Sequence, residues 1–167
     1  PVSMAHLSEL TVIDLSNQQL KGSIPAQGFV QWSNLSELYL DENQLTSIFS
    51  AKDDEYWPSL QLLMARKNLL NETIPSSISN WKNLRMLDLS TNDKLKGPIL
   101  EYGLPHWSAI ESIDIAQSGF TGTIPDSELR FLTTLSASGT QLSGSLTETL
   151  AAATNLEILT VGLGLSD

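Results

Sequence analysis

Apolar residues recur along the chain in a phased pattern in which hydrophobic and polar positions alternate. The pattern reads L-x-x-L-x-L-x-x-N-x-L, with other apolar residues at some leucine positions, and its copies begin 22 to 26 residues apart. The seven copies begin at Leu10, Leu35, Leu60, Leu84, Ile110, Leu132 and Leu156. The middle of each copy alternates with period two, which predicts a short strand whose leucines face inward and whose intervening residues face outward.

One such strand cannot bury its own leucines, but stacked copies form a parallel sheet over a continuous core. We therefore expect a single repeat domain over residues 1–167, with six full copies and a partial seventh. No polar closing helix follows the last strand at 156–161, and no amphipathic cap precedes Leu7. These features predict that the domain is part of a longer repeat array, with self-association through uncapped ends as an alternative.

Polar residues follow each strand at one fixed position of the copy. Buried side-chain amides at this position would bond to the backbone of the turn that leaves the strand, and so form a ladder from copy to copy. The position holds asparagine in three copies, at Asn43, Asn68 and Asn92. Other copies hold Gln18, Ser118 and Thr140, which can form hydrogen bonds but reach differently.

Beyond the strand, several copies carry G-x-I-P or part of it, as in Gly22–Pro25 and Gly122–Pro125. Glycine permits the turn, isoleucine points inward, and proline begins a helical turn on the convex side. The second copy departs from this pattern between Thr46 and Trp57. Its acidic run, 53–55, is expected to be a solvated loop, with a cation or basic-partner site as the minor alternative.

The whole pattern, L-x-x-L-D-L-S-x-N-x-L-x-G-x-I-P, resembles the plant-type leucine-rich repeat and is best preserved in residues 84–99 and 110–125. The resemblance implies an α/β fold: a right-handed solenoid with a parallel sheet on the concave face and short helical turns and loops on the convex face. It also implies a role typical of the extracellular parts of receptor-like kinases, of receptor-like proteins and of secreted inhibitors, which bind peptides or proteins. We expect no cofactor in this chain. The paired cysteines of the family's usual caps are absent.

All four tryptophans lie three residues before the first apolar residue of a copy, at Trp32, Trp57, Trp81 and Trp107. Leucine occupies the same phase in two other copies, at Leu7 and Leu129. A position that accepts leucine or tryptophan in register is a core position. We therefore expect these tryptophans to pack on the convex side and not to bind a ligand.

Composition and charge exclude several classes of function. Nine basic against nineteen acidic residues give a net charge of −10, which argues against a nucleic-acid partner. The absence of cysteine excludes a disulfide framework and a thiol nucleophile, and only His6 and His106 could supply imidazole. Asp88 and Asp114 stack in one row, but aspartate is usual at this position, so we predict neither a metal nor a catalytic site. No apolar run is long enough to span a membrane, so this segment is expected to make no membrane contact.

The outward strand positions of copies two to four hold the candidate ligand site. Four of them are apolar where the pattern expects polar residues, and charged residues surround them. An apolar cluster with a charged rim is typical of a protein-binding patch, although scattered surface apolarity is the alternative. The predicted ligand-binding residues are Glu37, Tyr39, Asp41, Leu62, Met64, Arg66, Met86, Asp88 and Asp114.

Charged residues at equivalent positions of neighbouring copies should pair across strands. Asp41 is expected to face Arg66, Glu42 to face Lys67, and Arg85 to face Glu111. Such pairs on a wet surface contribute well under ~1 kcal/mol each.

Two sequons, Asn34-Leu-Ser36 and Asn71-Glu-Thr73, predict glycosylation if the chain enters a secretory route. The expected location is extracellular or at the cell surface, with the cytoplasm as the alternative. The expected function is non-catalytic recognition of a peptide or protein, with the acidic balance favouring a basic partner. The first alternative is an ectodomain fragment of a receptor-like kinase whose catalytic domain lies outside this chain. A structural, ice-binding or glycan-binding surface protein and a hydrolase are lesser alternatives.

Overall fold

The computed structural model describes residues 7–24, 31–49, 57–125, 129–145, 153–162 and 165–166. Seven short strands form one parallel sheet, with one strand from each copy in sequence order. These concave strands are β1 (Val12–Asp14), β3 (Glu37–Tyr39), β5 (Leu62–Met64), β6 (Met86–Asp88), β8 (Ser112–Asp114), β10 (Thr134–Ala137) and β12 (Ile158–Val161). The register pairs equivalent positions of successive copies, which confirms the predicted fold.

A second layer of parallel strands, which the sequence pattern did not predict, follows the concave strands. It contains a two-stranded and a four-stranded sheet. Its strands are β2 (Lys21–Ser23), β4 (Gln44–Ser47), β7 (Asn92–Gly97), β9 (Ser118–Thr123), β11 (Gln141–Ser145) and β13 (Leu165–Ser166). An isolated bridge between Thr73 and Lys96 adds the third copy beside β7. The chain therefore changes direction after each concave strand and extends again before it reaches the convex side.

The helices whose bounds lie within the described ranges are short and lie on the convex side. They are α1 (Ile99–Gly103) and two 3-10 turns, Ser76–Asn80 and Leu129–Phe131. Pro75 directly precedes the first 3-10 turn, as the G-x-I-P pattern predicted. In α1 the ring of Trp107 lies against Gly103, and a Cβ at that position would overlap the ring.

The core is continuous, and the tryptophans belong to it. Each of the four is at most 4% exposed, which confirms the predicted convex packing. Trp107 Nε1 donates to the carbonyl oxygen of Ile78 at 2.8 Å. Trp81 stacks on Phe49 and on Trp57, with ring centroids 5.9 and 6.4 Å apart.

The predicted asparagine ladder is present in copies two to four. Asn92 Oδ1 accepts from the backbone N–H of Leu70 at 3.2 Å, and its Nδ2 donates to the carbonyl oxygens of Ala65 and Leu89 at 3.0 Å. Asn68 and Asn43 make equivalent bonds one and two copies earlier. Each amide thus joins two copies and supports the turn between their strands.

Copies without asparagine at this position lose the bond between copies. Ser118 Oγ donates to the carbonyl of Ile115, and Thr140 Oγ1 donates to the carbonyl of Ala137 at 2.7 Å, both within their own copy. The longer Gln18 is exposed, and its Nε2 donates to the Ser16 carbonyl at 3.0 Å.

A second ladder of side-chain bonds lies just before the concave strands. Asn34 Nδ2 donates to the Ser8 carbonyl at 3.3 Å, Asn83 Nδ2 to the Pro58 carbonyl at 3.1 Å, and Ser59 Oγ to the Ser33 carbonyl at 2.9 Å. Each donor directly precedes the first leucine of its copy. The position therefore holds the copies together at the entry to the sheet.

Glu72 compensates for the irregular second copy. The segment after β4 lacks G-x-I-P, and Glu72 from the next copy reaches back to it. Its Oε1 accepts from the backbone N–H of Ile48 at 2.7 Å and of Phe49 at 3.3 Å, while Ser47 Oγ lies 2.5 Å from Oε2. Burial raises the pKa of the Glu72 carboxyl above its ordinary value, against the lowering effect of these three bonds. A carboxyl group thus closes the turn that glycine and proline close in other copies.

The first and last strands of the described concave sheet are more open than the middle. Leu7, Val12 and Ile158 are 46 to 53% exposed. Self-association through these surfaces stays a prediction. The acidic run at 53–55 and His6 lie outside the described residues, and His106 is exposed.

Candidate functional site

The concave sheet arranges the predicted ligand-binding residues in parallel rows. The first row runs Glu37, Leu62, Met86 across β3, β5 and β6. The second row runs Tyr39, Met64, Asp88, Asp114 from β3 to β8. Adjacent strands lie about 4.8 Å apart, so successive members of a row are neighbours. The predicted apolar cluster in copies two to four therefore exists as one surface, which we call the concave patch: Glu37, Tyr39, Leu62, Met64 and Met86.

Asp41 and Arg66 lie just beyond the strand ends and border the second row. The backbone N–H of Arg66 donates to Asp41 Oδ1 at 2.9 Å, and Arg66 Nε lies 3.7 Å from Asp41 Oδ2. Asp88 ends β6 in the fourth copy, and Asp114 lies one copy farther along the second row. All the predicted residues thus share the concave surface, and all but Asp114 lie within copies two to four.

A shallow groove of about 180 Å³ opens at the entry edge of the concave patch. Leu62 and Met86 form its apolar part, and Met86 is 38% exposed. Its other lining residues are Glu37, Gln61, Arg85 and Glu111. Gln61 was not among the predicted site residues, because it precedes the strand and its place beside Leu62 depends on the turn. The groove thus offers an apolar surface between a carboxylate on one side and an ion pair on the other.

A hydrogen bond to Glu37, two residues earlier in the same strand, fixes the orientation of the Tyr39 ring on the sheet. Its hydroxyl donates to Glu37 Oε2 at 2.9 Å, and this bond to the carboxylate raises the pKa of Tyr39 above its ordinary value. Both residues are half-buried. A ring fixed in this way contacts a ligand at a small further cost in side-chain entropy.

The predicted cross-strand ion pairs are all present. Lys67 Nζ lies 2.9 Å from Glu42 Oε1, and this pair lowers the pKa of Glu42. Arg66 NH2 also lies 3.6 Å from Glu42 Oε1. Arg85 donates to Glu111 Oε1 through Nε at 3.0 Å and through NH2 at 2.8 Å. These pairs form the charged rim of the concave patch.

We expect Arg85→Ala to lower the free energy of unfolding by less than ~1 kcal/mol, because both members of the pair are about half exposed and screened by water. Urea denaturation of Arg85→Ala, Glu111→Gln and the double variant would measure the coupling between the two residues. A coupling free energy of several kcal/mol would contradict this expectation, because it would show that the ion pair of Arg85 and Glu111 contributes substantially to the stability of the fold.

The aspartates of the second row are engaged with the backbone. Asp88 Oδ1 accepts from the Ser90 backbone N–H at 2.9 Å and from Ser90 Oγ at 2.6 Å, and Asp114 Oδ1 accepts from the Ala116 N–H at 3.0 Å. Burial raises the pKa of Asp88 despite these bonds, and the Asp114 charge adds to the effect. Burial likewise raises the pKa of Asp41. The frequent aspartate at this position thus closes the turn after the strand.

The chemistry that this surface offers is recognition by shape and charge. Within the described ranges no group of three or more histidine, cysteine or acidic side chains is placed to hold a metal ion. The described helices include none long and apolar enough to cross a membrane.

Comparison with known proteins shows which proteins share the sequence pattern and the fold of this chain. No protein-family model matches the chain. Receptor-like protein 35 of Arabidopsis thaliana is 31% identical over 160 residues, which cover 92% of this chain and 16% of that protein. The chain thus spans about a sixth of the length of this relative. The ectodomain of the Arabidopsis receptor kinase HAESA, solved with an IDA peptide hormone ligand, superimposes with a TM-score of 0.87 at 27% identity. That match covers 100% of this chain and 28% of the HAESA chain.

A plant ice-binding protein has the same architecture, with a TM-score of 0.82, 27% identity and coverage of 100% of this chain and 53% of that one. The fold therefore does not select a function by itself. Taken with the repeat pattern, the similarities identify the chain as a leucine-rich repeat protein of the plant type. They also point to an extracellular or cell-surface location.

Proposed function

We propose that this chain is a peptide-binding segment of a receptor-like ectodomain, and that the concave patch is its binding surface. The main observation in support of this proposal is the apolar row and groove around Leu62, Met64 and Met86, which charged residues of the concave sheet surround. The peptide hormone bound by the HAESA ectodomain supports a ligand of the same class. Neither catalysis nor a cofactor is needed for this role.

The charges of the rim favour a peptide that carries both apolar and basic residues. Glu37 borders the groove on one side, and the net charge of −10 attracts cations at long range. An apolar side chain would lie on Leu62 and Met86, while a neighbouring Lys or Arg would pair with Glu37. The apolar contact would supply most of the affinity, and the charges would set the encounter rate and the orientation.

Selection of peptides from a displayed random library against the secreted chain tests this function. Tyr39→Ala and Met64→Ala are each expected to weaken binding of the selected peptides about tenfold, or about 1.4 kcal/mol, because central apolar contacts dominate such interfaces. The matched control is Leu69→Ala, which removes an apolar side chain that is 55% exposed and lies outside the concave patch.

The control variant should retain wild-type affinity, and all three variants should unfold at the same urea concentration as the wild type within error. Equal affinity of the Tyr39 and Met64 variants and the wild type would contradict the assignment of the site. Peptides that lose affinity only for the Leu69 variant would place the binding surface on the second layer instead.

A second candidate, the ectodomain segment of a receptor-like kinase, is favoured by the similarity to the HAESA ectodomain. It uses the same surface and differs only in what the full-length protein contains. A transmembrane segment followed by a kinase sequence in the full reading frame would support this candidate.

A further inference from the structure

A polar groove of about 440 Å³ lies on the second layer of strands, apart from the concave patch. It crosses four successive copies, and no residue of the concave groove lines it. Its lining residues are Asn71, Asp93, Lys94, Lys96, Gly119, Thr121 and Gln141. All of them except Gly119 are exposed.

The groove arises from an irregularity in the fourth copy. Residues 93–94 add one position between the ladder asparagine and the next leucine, and the pairing of β7 with β9 shifts register there. Gly119 lies opposite this bulge, where a Cβ would come within 3.0 Å of the Leu95 carbonyl oxygen. The floor is therefore backbone, and long polar side chains form the walls.

One wall of this groove is the asparagine of a sequon. Along Asn71-Glu72-Thr73 the side chains alternate, so that Glu72 points inward while Asn71 and Thr73 are exposed on the same outer surface. The backbone is fixed at both ends, because Asn71 N–H donates to the Thr46 carbonyl at 3.2 Å and Ile74 N–H to the Lys96 carbonyl at 2.8 Å. No hydrogen bond of the Asn71 side chain occurs among the residues that the structure describes.

The other sequon is placed differently. Asn34 Nδ2 donates to the Ser8 carbonyl as part of the ladder before the concave strands. A glycosylated amide nitrogen keeps only one hydrogen, and at Asn34 that hydrogen would have to stay on the Ser8 carbonyl for the bond between copies to persist. Asn71 therefore offers an accessible amide beside a groove, whereas Asn34 offers an amide that already joins two copies.

The lining of the groove fits a carbohydrate. Sugar hydroxyl and acetamido groups both donate and accept hydrogen bonds, and the walls supply the ammonium groups of Lys94 and Lys96 together with the oxygens of Asp93, Thr121 and Gln141. The groove extends over about 14 Å, as three strand spacings separate the copies of Asn71 and Gln141. Its lining residues include no aromatic residue and no leucine, isoleucine, valine or methionine, and its aliphatic surface comes from side chains with polar ends such as Lys94 and Lys96.

We propose that Asn71 carries an N-linked glycan and that the sugars nearest the protein lie in this groove. In the modification, Asn71 Nδ2 forms a bond to the anomeric carbon of a lipid-diphosphate-linked oligosaccharide. The bond from that carbon to the diphosphate oxygen breaks, the lipid diphosphate leaves, and the amide nitrogen loses one proton. The glycan covers the second layer and leaves the concave patch open to a ligand.

Secretion of the chain from plant or insect cells tests this proposal by two measurements. Glycopeptide mass spectrometry should find Asn71 occupied in the wild type, and Asn71→Gln should remove the corresponding mass. An endoglycosidase that cuts between the first two sugars should act several-fold more slowly on the native wild type than on the combined variant Lys94→Ala/Thr121→Ala/Gln141→Ala. Lys82→Ala, which replaces an exposed lysine outside the groove, is the matched control and should be cut at the wild-type rate.

An unoccupied Asn71 in the secreted chain would overturn the proposal. Equal cleavage of the wild type and the combined variant would also overturn it, because the glycan would then extend into solvent. Unfolding in urea before digestion should remove the difference between the two proteins, which separates protection by the groove from a change in the glycan itself. Saturable binding of free sulfate to Lys94 and Lys96 in a chain without the glycan would assign the groove to an anion instead.

Discussion

Replacing Asn92 with alanine is expected to lower the free energy of unfolding by about 3–5 kcal/mol. The side chain is fully buried, and two of its hydrogen bonds connect it to the third copy: Oδ1 accepts from the Leu70 N–H, and Nδ2 donates to the Ala65 carbonyl. Nδ2 also donates to the Leu89 and Ser90 carbonyls within the fourth copy. Alanine would leave the Leu70 N–H and several carbonyl groups without a partner in a region closed to water, at about 1–3 kcal/mol for each group that finds no other.

The Asn92 amide also supports a strained turn. Thr91, the residue before it, has φ +56°, a left-handed conformation that costs a β-branched residue about 1–2 kcal/mol. Equivalent left-handed residues, Glu42 and Lys67, precede the other two ladder asparagines. Without the amide to bond the neighbouring carbonyls, the backbone of the turn is free to relax, and the stacking of the two copies weakens with it.

Urea denaturation followed by tryptophan fluorescence and circular dichroism would measure the Asn92 effect. Asn83→Ala is the matched control, because Asn83 is exposed and donates one bond to the Pro58 carbonyl. Its loss is expected to be below about 1 kcal/mol. If both variants lost the same small amount, the buried ladder would not be the main connection between copies.

Glu72→Ala is expected to lower the free energy of unfolding by about 2–3 kcal/mol, because the backbone N–H groups of Ile48 and Phe49 lose their acceptor in a largely buried place. Glu72→Gln keeps that acceptor, and its amide can donate to Ser47 Oγ. The glutamine variant should therefore be at least as stable as the wild type at pH 7, where the wild type must bury a charge.

The pH dependence of the free energy of unfolding separates the effect of the Glu72 charge from the effect of the side-chain shape. Because the folded pKa is raised above the ordinary value of 4.5, the neutral carboxyl favours the folded state. The resulting contribution is fully present below the unfolded pKa and is lost as the pH rises through the folded pKa. Urea unfolding of the wild type and Glu72→Gln between about pH 4 and 8 should show the wild type losing stability relative to the variant as the pH rises. The opposite slope would mean that the three hydrogen bonds outweigh burial.

Much of this architecture follows from local pattern. The period-two alternation predicts the concave strands, and the common phase of Trp32, Trp57, Trp81 and Trp107 predicts their burial. The fixed spacing of the copies also sets which charges meet, so the pair of Arg85 and Glu111, 26 residues apart, is visible in the sequence. Each of these features recurs in successive copies, so it is visible in the sequence as a repeating pattern.

The features that escaped prediction have two origins: some arise where one copy differs from its neighbour, and others depend on the backbone. In the sequence Glu72 has the features of an ordinary exposed residue. Its role depends on the neighbouring turn, which lacks glycine and proline and directs two backbone N–H groups toward the carboxylate. The bonds of Asn34 and Asn83 are to carbonyl groups, which every residue has, so no side-chain pattern reveals them. The second layer of strands follows from the direction of the chain after the left-handed turn, which depends on backbone geometry and not on hydrophobicity. The groove beside Leu62 and Met86 similarly depends on where the turn residue Gln61 lies.

The bonds between copies also bear on how the chain folds. The hydrogen bonds that connect neighbouring copies join residues 22 to 29 positions apart, whether they lie in the first copies or the later ones. Closing a loop of nearly constant length costs nearly the same entropy at each step. Folding can therefore begin wherever two neighbouring copies associate most strongly and extend one copy at a time in both directions. Copies two to four, which Asn68, Asn92 and the stacked Trp57 and Trp81 join to one another, are the natural nucleus, and they are also the copies that carry the concave patch.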